Sequence, residues 1–471
     1  MKDKLLIQHP SGYLEERKYI FKIIFEELLG LNYKCQEIPG NDVKISLANE
    51  PQAGILIWPD ILFQNKEQNW LQEASLPKTP LPQWDVSKDI PEVKTLRSTI
   101  PVIYGRAFQN KEWFKHNGKL IYLGIDIAGS VFFLLTRYEE LVLKSRDIHG
   151  RFPAFASIAY KEGFLDRPIV DEYIEILWVC MKRLWSHLNR REKAYKIYLS
   201  HDVDSPLWFA NNYWIKSLKS VFGDILKRKD FILAYNRLKT QLTKDYSRDP
   251  YNTFAYIMDL SERFGLISAF YFKTDASDPK FDNYYDLETP WMKDLLKQIH
   301  ERGHEIGLHT SYEAHKDFER TRNEFNRLLR ITEKLGIKQE KWGGRQHYLR
   351  WENPISWQIW EDVGLDYDST VGFADHVGFR CGTCQEFPVF NLITRKALRL
   401  RERPLIIMEG TLLGTSYMAL SPEKAMEWIE HLSKISRQFN GIFTLLWHNS
   451  TLSERWQRDL YIKTLECITQ S

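Results

Sequence analysis

Cysteine is scarce. Five in 471 residues cannot form the disulfide framework of a small secreted domain. Cys381 and Cys384, in "RCGTCQEF", form one CxxC with no second pair beside it. A structural role or chance spacing accounts for it better than a zinc site. An excess of one charge is missing too. The 65 basic and 62 acidic residues leave a net charge of +3, too little to indicate nucleic-acid binding. No apolar run approaches the roughly 18 residues that a membrane span needs. The first stretch, "MKDKLLIQHPSGYLEERKYIF", lacks the long apolar segment of a secretory signal. The expected location is therefore cytoplasmic, or at most peripheral to the inner face of a membrane. Internal repeats and low-complexity tracts are also absent.

What is present is length and aromatic content. A chain of 471 residues exceeds one ordinary core, so two domains are expected. Aromatics make up 14% of it, which suits surfaces that stack against sugars, although an aromatic-rich core explains the same composition. Residues 1–190 mix helix and strand, as in the amphipathic "EERKYIFKIIFEELLG" and the apolar "GSVFFLLTRYEELVL". The loop-rich, aromatic "RDIHGRFPAFASIAYKEGFLDRPIVDEY" follows. The charged "LNRREKAYK" then reads as a linker.

From residue 196 to 471 the pattern alternates strand with helix. The candidate strands are "KIYLSHDVD", "SAFYFKT", "HEIGLHT", "KWGGRQH", "LDYDST", "LIIMEGTLL" and "GIFTLLWHN". Such alternation predicts parallel strands with crossover helices. Seven strands over this length predict a distorted (β/α)7-type barrel, with an α+β domain before it. A Lys- and Arg-rich insertion of helical period, at about 207–250, reads as a solvated helix pair, with a cap over the site or a contact for an acidic partner as the alternatives.

In "KIYLSHDVDSP" an apolar run stops at Asp202 and Asp204, two residues apart and so on one face of a strand. Two like charges there need a cation nearby. Other titratable groups fall at the ends of other strands: His309, then Arg345 and His347, Asp368, and His448. Each alone is ordinary scaffold. Together they place polar groups on one rim, where the chemistry of such barrels sits. A divalent ion beside Asp204, held by one Asp and one or two His, answers the repulsion. That ligand set suits zinc, and also cobalt or nickel. Asp202 is then placed to accept a proton from water.

These motifs resemble the polysaccharide deacetylase family, the NodB-homology group of carbohydrate esterase family 4. The acidic motif corresponds to "SHDVDSP", the metal motif to "GHEIGLHTSYEAH", the arginine motif to "GGRQHY" and the last motif to "TLLWHNS". The resemblance extends to a bacterial subgroup with an added N-terminal domain, whose members look like surface-polysaccharide proteins. It implies Asp202 as general base, Asp204 and His309 as metal ligands, and Arg345 as the residue that orients the base. It implies His448 as general acid, with Leu446 and Trp447 lining an acetyl-sized pocket and Tyr348 among the substrate contacts. Asp368, or less readily Asp375, is expected to pair with His448 or Arg345.

The chain departs from the family pattern at the second metal histidine, expected four residues after His309. His315 is the nearest downstream candidate, at six, a spacing that needs a loop rather than one helical turn. His347 stands where the family often has proline, and is open to three roles: substitute ligand, substrate contact or scaffold. His304 reads as structural. Asn449 stands where aspartate is common, which lowers the expected basicity of His448. The implied activity is metal-dependent removal of an N-acetyl group from a sugar or glycan, with a surface-polysaccharide precursor as the expected substrate. Two alternatives stand beside it: an inactive sugar-binding or assembly module, and hydrolysis of another amide.

Overall fold

The structure is a computed structural model. It describes residues 4–208 and 246–470, with scattered residues from 221 to 239. The insertion expected at about 207–250 lies largely outside the described residues.

Two main sheets divide the strands. The first is mixed and has six strands, in the order Asn32–Glu37, Lys4–His9, Asp42–Leu47, Ile55–Pro59, Leu120–Leu123 and Phe114–Asn117. Its core is apolar, with Ile7, Ile45, Leu56 and Ile121 fully buried. The helix Ile127–Leu135 is apolar on all sides and entirely buried, as such a helix must be. Its Asp126 cap accepts from the backbone N–H of Gly129 at 2.7 Å.

The second sheet has nine strands and curls into a half-barrel. Its order is Phe387–Asn391, Lys396–Glu402, Tyr367–Asp368, Gly343–Arg345, Glu305–His309, Ser268–Phe272, Lys196–Val203, Ile442–Leu446 and Ile407–Met408. Every pairing is parallel except that of the first two strands. Helices such as Pro290–Glu301, Phe318–Lys334 and Pro422–Gln438 lie between successive strands, as the alternation predicts. Ser268–Phe272 is buried along its whole length, the mark of a strand covered on both faces.

Two details differ from the sequence reading. "LIIMEGTLL" holds only a two-residue strand, Ile407–Met408, and turns at once into the helix Glu409–Leu413. The hairpin Phe387–Glu402 adds two strands at the sheet edge. The two sheets are joined by specific contacts. The Tyr19 hydroxyl donates to the Pro388 carbonyl at 2.9 Å, and Arg395 pairs with Glu16 at 2.5 Å. Among the described residues no helix is long and apolar enough to cross a membrane.

Candidate metal centre

Parallel register assembles the site. Phe272 lies opposite both Val203 and Leu308, and Leu308 lies opposite Gly344. The next residue on each strand is therefore Asp204, Lys273, His309 or Arg345, four polar groups in one layer at the C-terminal ends. Glycine makes the layer tight: a Cβ on Gly344 would meet the Leu308 carbonyl oxygen at 1.8 Å. Only glycine admits that approach.

Asp204, His309 and His347 converge. Their ligand atoms lie within 4.8 Å of one another, the one such group able to hold a metal among the described residues. Asp204 Oδ1 is 3.2 Å from His309 Nε2 and 3.1 Å from His347 Nε2. The far nitrogens settle the tautomers. His309 Nδ1 lies 2.9 Å from the Arg345 carbonyl, which can only accept, so Nδ1 donates. His347 Nδ1 likewise donates to the Asp282 carboxylate at 2.8 Å. In the neutral rings both Nε2 atoms then present lone pairs towards a carboxylate oxygen, with no proton between them. Asp204 Oδ1 and His309 Nε2 are buried without a hydrogen-bond partner. A divalent cation satisfies all three atoms, and outer hydrogen bonds that fix each imidazole are what metal-bound histidines have. Burial opposes the ionised form of Asp204. In the metal-free site, with protonated rings standing in for the ion, the charge of His347, the bonds from both histidines and the charge of Lys273 outweigh it and hold the carboxyl well below the usual range.

His315 is not in this group. It lies in the short turn Ala314–Lys316, where burial drives its pKa down to about 3. The six-residue spacing carries it away from Asp204, and His347, from the neighbouring strand's end, stands in the third position instead.

Asp202 sits one layer deeper. Arg345 donates to it at 2.7 Å, and its other oxygen lies 3.9 Å from His309 Nε2. Arg345 is itself fixed by the hydroxyls of Ser200 at 2.9 Å and Ser369 at 3.1 Å, and by the Ser369 carbonyl at 2.7 Å. Burial raises the Asp202 pKa, but the guanidinium overrides it and keeps the group ionised.

His448 faces the centre from the opposite rim, its Nε2 3.8 Å from Asp204 Oδ2. Its Nδ1 donates to Glu409 at 2.6 Å. Burial disfavours the charged ring, yet Glu409 lifts its pKa to about 10. Asp368 does not fill the expected role. It accepts from the Thr370 backbone N–H at 3.0 Å and from the Thr370 hydroxyl, and it bonds neither His448 nor Arg345. Burial pushes it up to about 7. Asp375 accepts from the Ala154 N–H instead, at 3.1 Å.

Leu446 and Trp447 part company, because successive strand residues face opposite ways. Leu446 joins a small apolar cluster with Leu349, Ala374 and Leu405, flanked by Met408 and Tyr417. Trp447 turns into the core against Tyr461, with ring centroids 5.1 Å apart. It therefore does not line a pocket shared with Leu446. Tyr348 lies beside His347, centroids 4.7 Å apart, in a group with His149, Phe281 and Tyr312. His304 accepts from the Ser268 N–H at 3.1 Å. Cys381 and Cys384 are buried free thiols.

Sequence reasoning missed Asp282, Lys273 and Glu409. Lys273 is 2% exposed and its amine has no hydrogen-bond partner. Both Lys273 and Glu409 are charged residues directly after an apolar strand, the signal that singled out Asp202.

Residues 5–186 match a family of unknown function, DUF7033. No curated protein matches the chain by sequence. Two solved structures are similar to part of it. One, from Mycobacterium smegmatis and assigned as a polysaccharide deacetylase, is 15% identical with a TM-score of 0.39, covering 59% of this chain and 85% of its own. The other, Puue allantoinase, is 10% identical with a TM-score of 0.35, covering 58% and 84%. At these scores the geometry of the site, not the likeness, carries the functional reading.

Proposed function

We propose that this chain is a metal-dependent hydrolase that removes an N-acetyl group from a sugar. One observation carries the reading. Three lone pairs, from Asp204, His309 and His347, converge between an arginine-held carboxylate and a glutamate-held histidine.

A divalent ion there, zinc by ligand type, would supply Lewis acidity and make water a stronger acid. The rest follows from the chain's own groups. Asp202, ionised beside Arg345, takes a proton from the attacking water. His448, charged beside Glu409, gives its Nε2 proton to the departing nitrogen, so acetate and a free amine leave. The cluster around Leu446 accepts the acetyl methyl. The half-buried ring of Tyr348 offers a face to a pyranose. Residues 196–471 carry the chemistry in this reading, and residues 1–190 form a second unit packed against them. A cytoplasmic precursor of a surface polysaccharide fits the sequence expectation.

Acetate release from N-acetylated sugars by zinc- or cobalt-loaded protein tests the reading. Release by wild type, abolished in Asp202→Asn, supports it. Metal uptake without release from any N-acetylated sugar favours the binding-module alternative.

A further inference from the structure

The ligand His347 sits on an unusual turn. Tyr348 and Leu349, which follow it, both have left-handed backbone, with φ of 60° and 54°. Two consecutive non-glycine residues in that region need outside restraint. Part of it comes from far away in the chain. Arg151 donates to the Tyr348 carbonyl at 2.8 Å and to the Tyr417 hydroxyl at 3.2 Å. Its side chain is 7% exposed and is clamped by Asp147 at 2.7 Å. Asp147 also accepts the backbone N–H groups of His149 and Arg151, each at 2.9 Å, which closes the loop on itself. A second tie runs alongside: Arg350 donates to the His149 carbonyl at 2.9 Å and to the Tyr312 carbonyl at 2.7 Å. The His149 ring bonds the Tyr312 hydroxyl at 2.9 Å.

We propose that Arg151 is a positioning residue for the metal centre: through the Tyr348 carbonyl it holds the His347–Leu349 turn, and so the His347 ligand. The loop Asp147–Arg151 lies within residues 5–186, the region matched by a family of unknown function. That region is thereby part of the centre and not an appendage. The guanidinium suits the task because one planar group reaches the clamp, the carbonyl and the phenol at once. A lysine, with one point of charge, does not.

The inference rests on the metal-centre reading for its consequence, so two readouts separate them. Full-length wild type, Arg151→Ala and Arg151→Lys are titrated with Co2+, following affinity and the visible spectrum. In metal-free protein, carbethoxylation of His347 by diethylpyrocarbonate is mapped by mass spectrometry. Arg151→Ala is expected to bind cobalt about tenfold or more weaker, with an altered spectrum, as loss of a supporting contact does at metal sites. His347, 4% exposed in the wild type, becomes more reactive. Arg151→Lys falls between. Folded Arg151→Ala with wild-type cobalt binding and wild-type His347 protection overturns the proposal. If that variant does not fold, Asp147→Ala, which releases the clamp, must move both readouts the same way; no change there overturns it. If wild type takes up no cobalt, the metal reading fails and the protection of His347 alone decides.

Discussion

Glu409 holds His448 with a single carboxylate oxygen. It accepts the ring Nδ1–H at 2.6 Å and the His448 backbone N–H at 3.1 Å. The ring's orientation and its charge thus come from one residue, 39 positions earlier in the chain.

Replacing Glu409 by Gln tests this pairing. Glu409 lifts the His448 pKa to about 10 in metal-free protein and a bound cation lowers it again, so the alkaline limb of activity lies below pH 10. Without Glu409 the limb moves down towards the ordinary histidine value of about 6.5, and at pH 8 kcat falls about tenfold or more. The pH–rate profiles of both proteins check it. Stability follows the same sign in metal-free protein. A raised histidine pKa contributes fully below about 6.5, and the contribution is lost as pH rises through about 10. Glu409→Gln flattens that slope in denaturant titrations.

Asp202→Asn keeps an acceptor for Arg345 but removes the base. The expected outcome is a loss of turnover of about 10²- to 10⁴-fold with bound metal unchanged. Asp202→Ala is a different experiment. It leaves the fully buried Arg345 without its carboxylate, at a cost of about 3–5 kcal/mol, which urea unfolding will show.

Asp282 touches the centre only through His347. Asp282→Asn is expected to weaken metal binding about 10- to 100-fold without changing its stoichiometry. Competition with a chromophoric chelator measures this. Equal affinity in the two proteins removes Asp282 from the account.

Leu446→Ala enlarges the apolar cluster beside His448. It is expected to shift preference from acetyl towards propionyl amides by about tenfold, the scale of one methylene in an apolar pocket. Trp447→Phe, facing the core, leaves that ratio alone. Relative kcat/KM for the two acyl groups separates them.

Much of the parallel half-barrel sheet and its rim was legible in the sequence, because the signal there is local. A buried strand that ends in a charge marks itself, as at Asp202, Asp204 and His309. The third member of the group was only partly legible: His347 stood open as substitute ligand, substrate contact or scaffold, beside the nearer candidate His315. His315 lies near His309 along the chain, but the neighbour in space is His347, 38 residues on. Sheet register brings the two together, and sequence spacing says nothing of it. Glu409 hid for another reason. "LIIMEGTLL" is apolar on both sides of the glutamate and reads as one strand, whereas the strand stops at Met408. The strand "KALRLRE" is rich in charge, so its composition hides it, although it lies inside the sheet between Phe387–Asn391 and Tyr367–Asp368. Leu446 and Trp447 are adjacent and so face opposite ways, one into the apolar cluster and the other into the core, which a reading by sequence proximity does not separate.

The most direct test is metal content. Wild type, His347→Ala and His315→Ala are purified without chelators or a metal-binding tag, incubated with zinc, desalted and analysed for metal by elemental analysis. About one equivalent is expected in wild type and in His315→Ala, and little or none in His347→Ala. One equivalent retained in His347→Ala, and lost in His315→Ala, would contradict a centre built on His347.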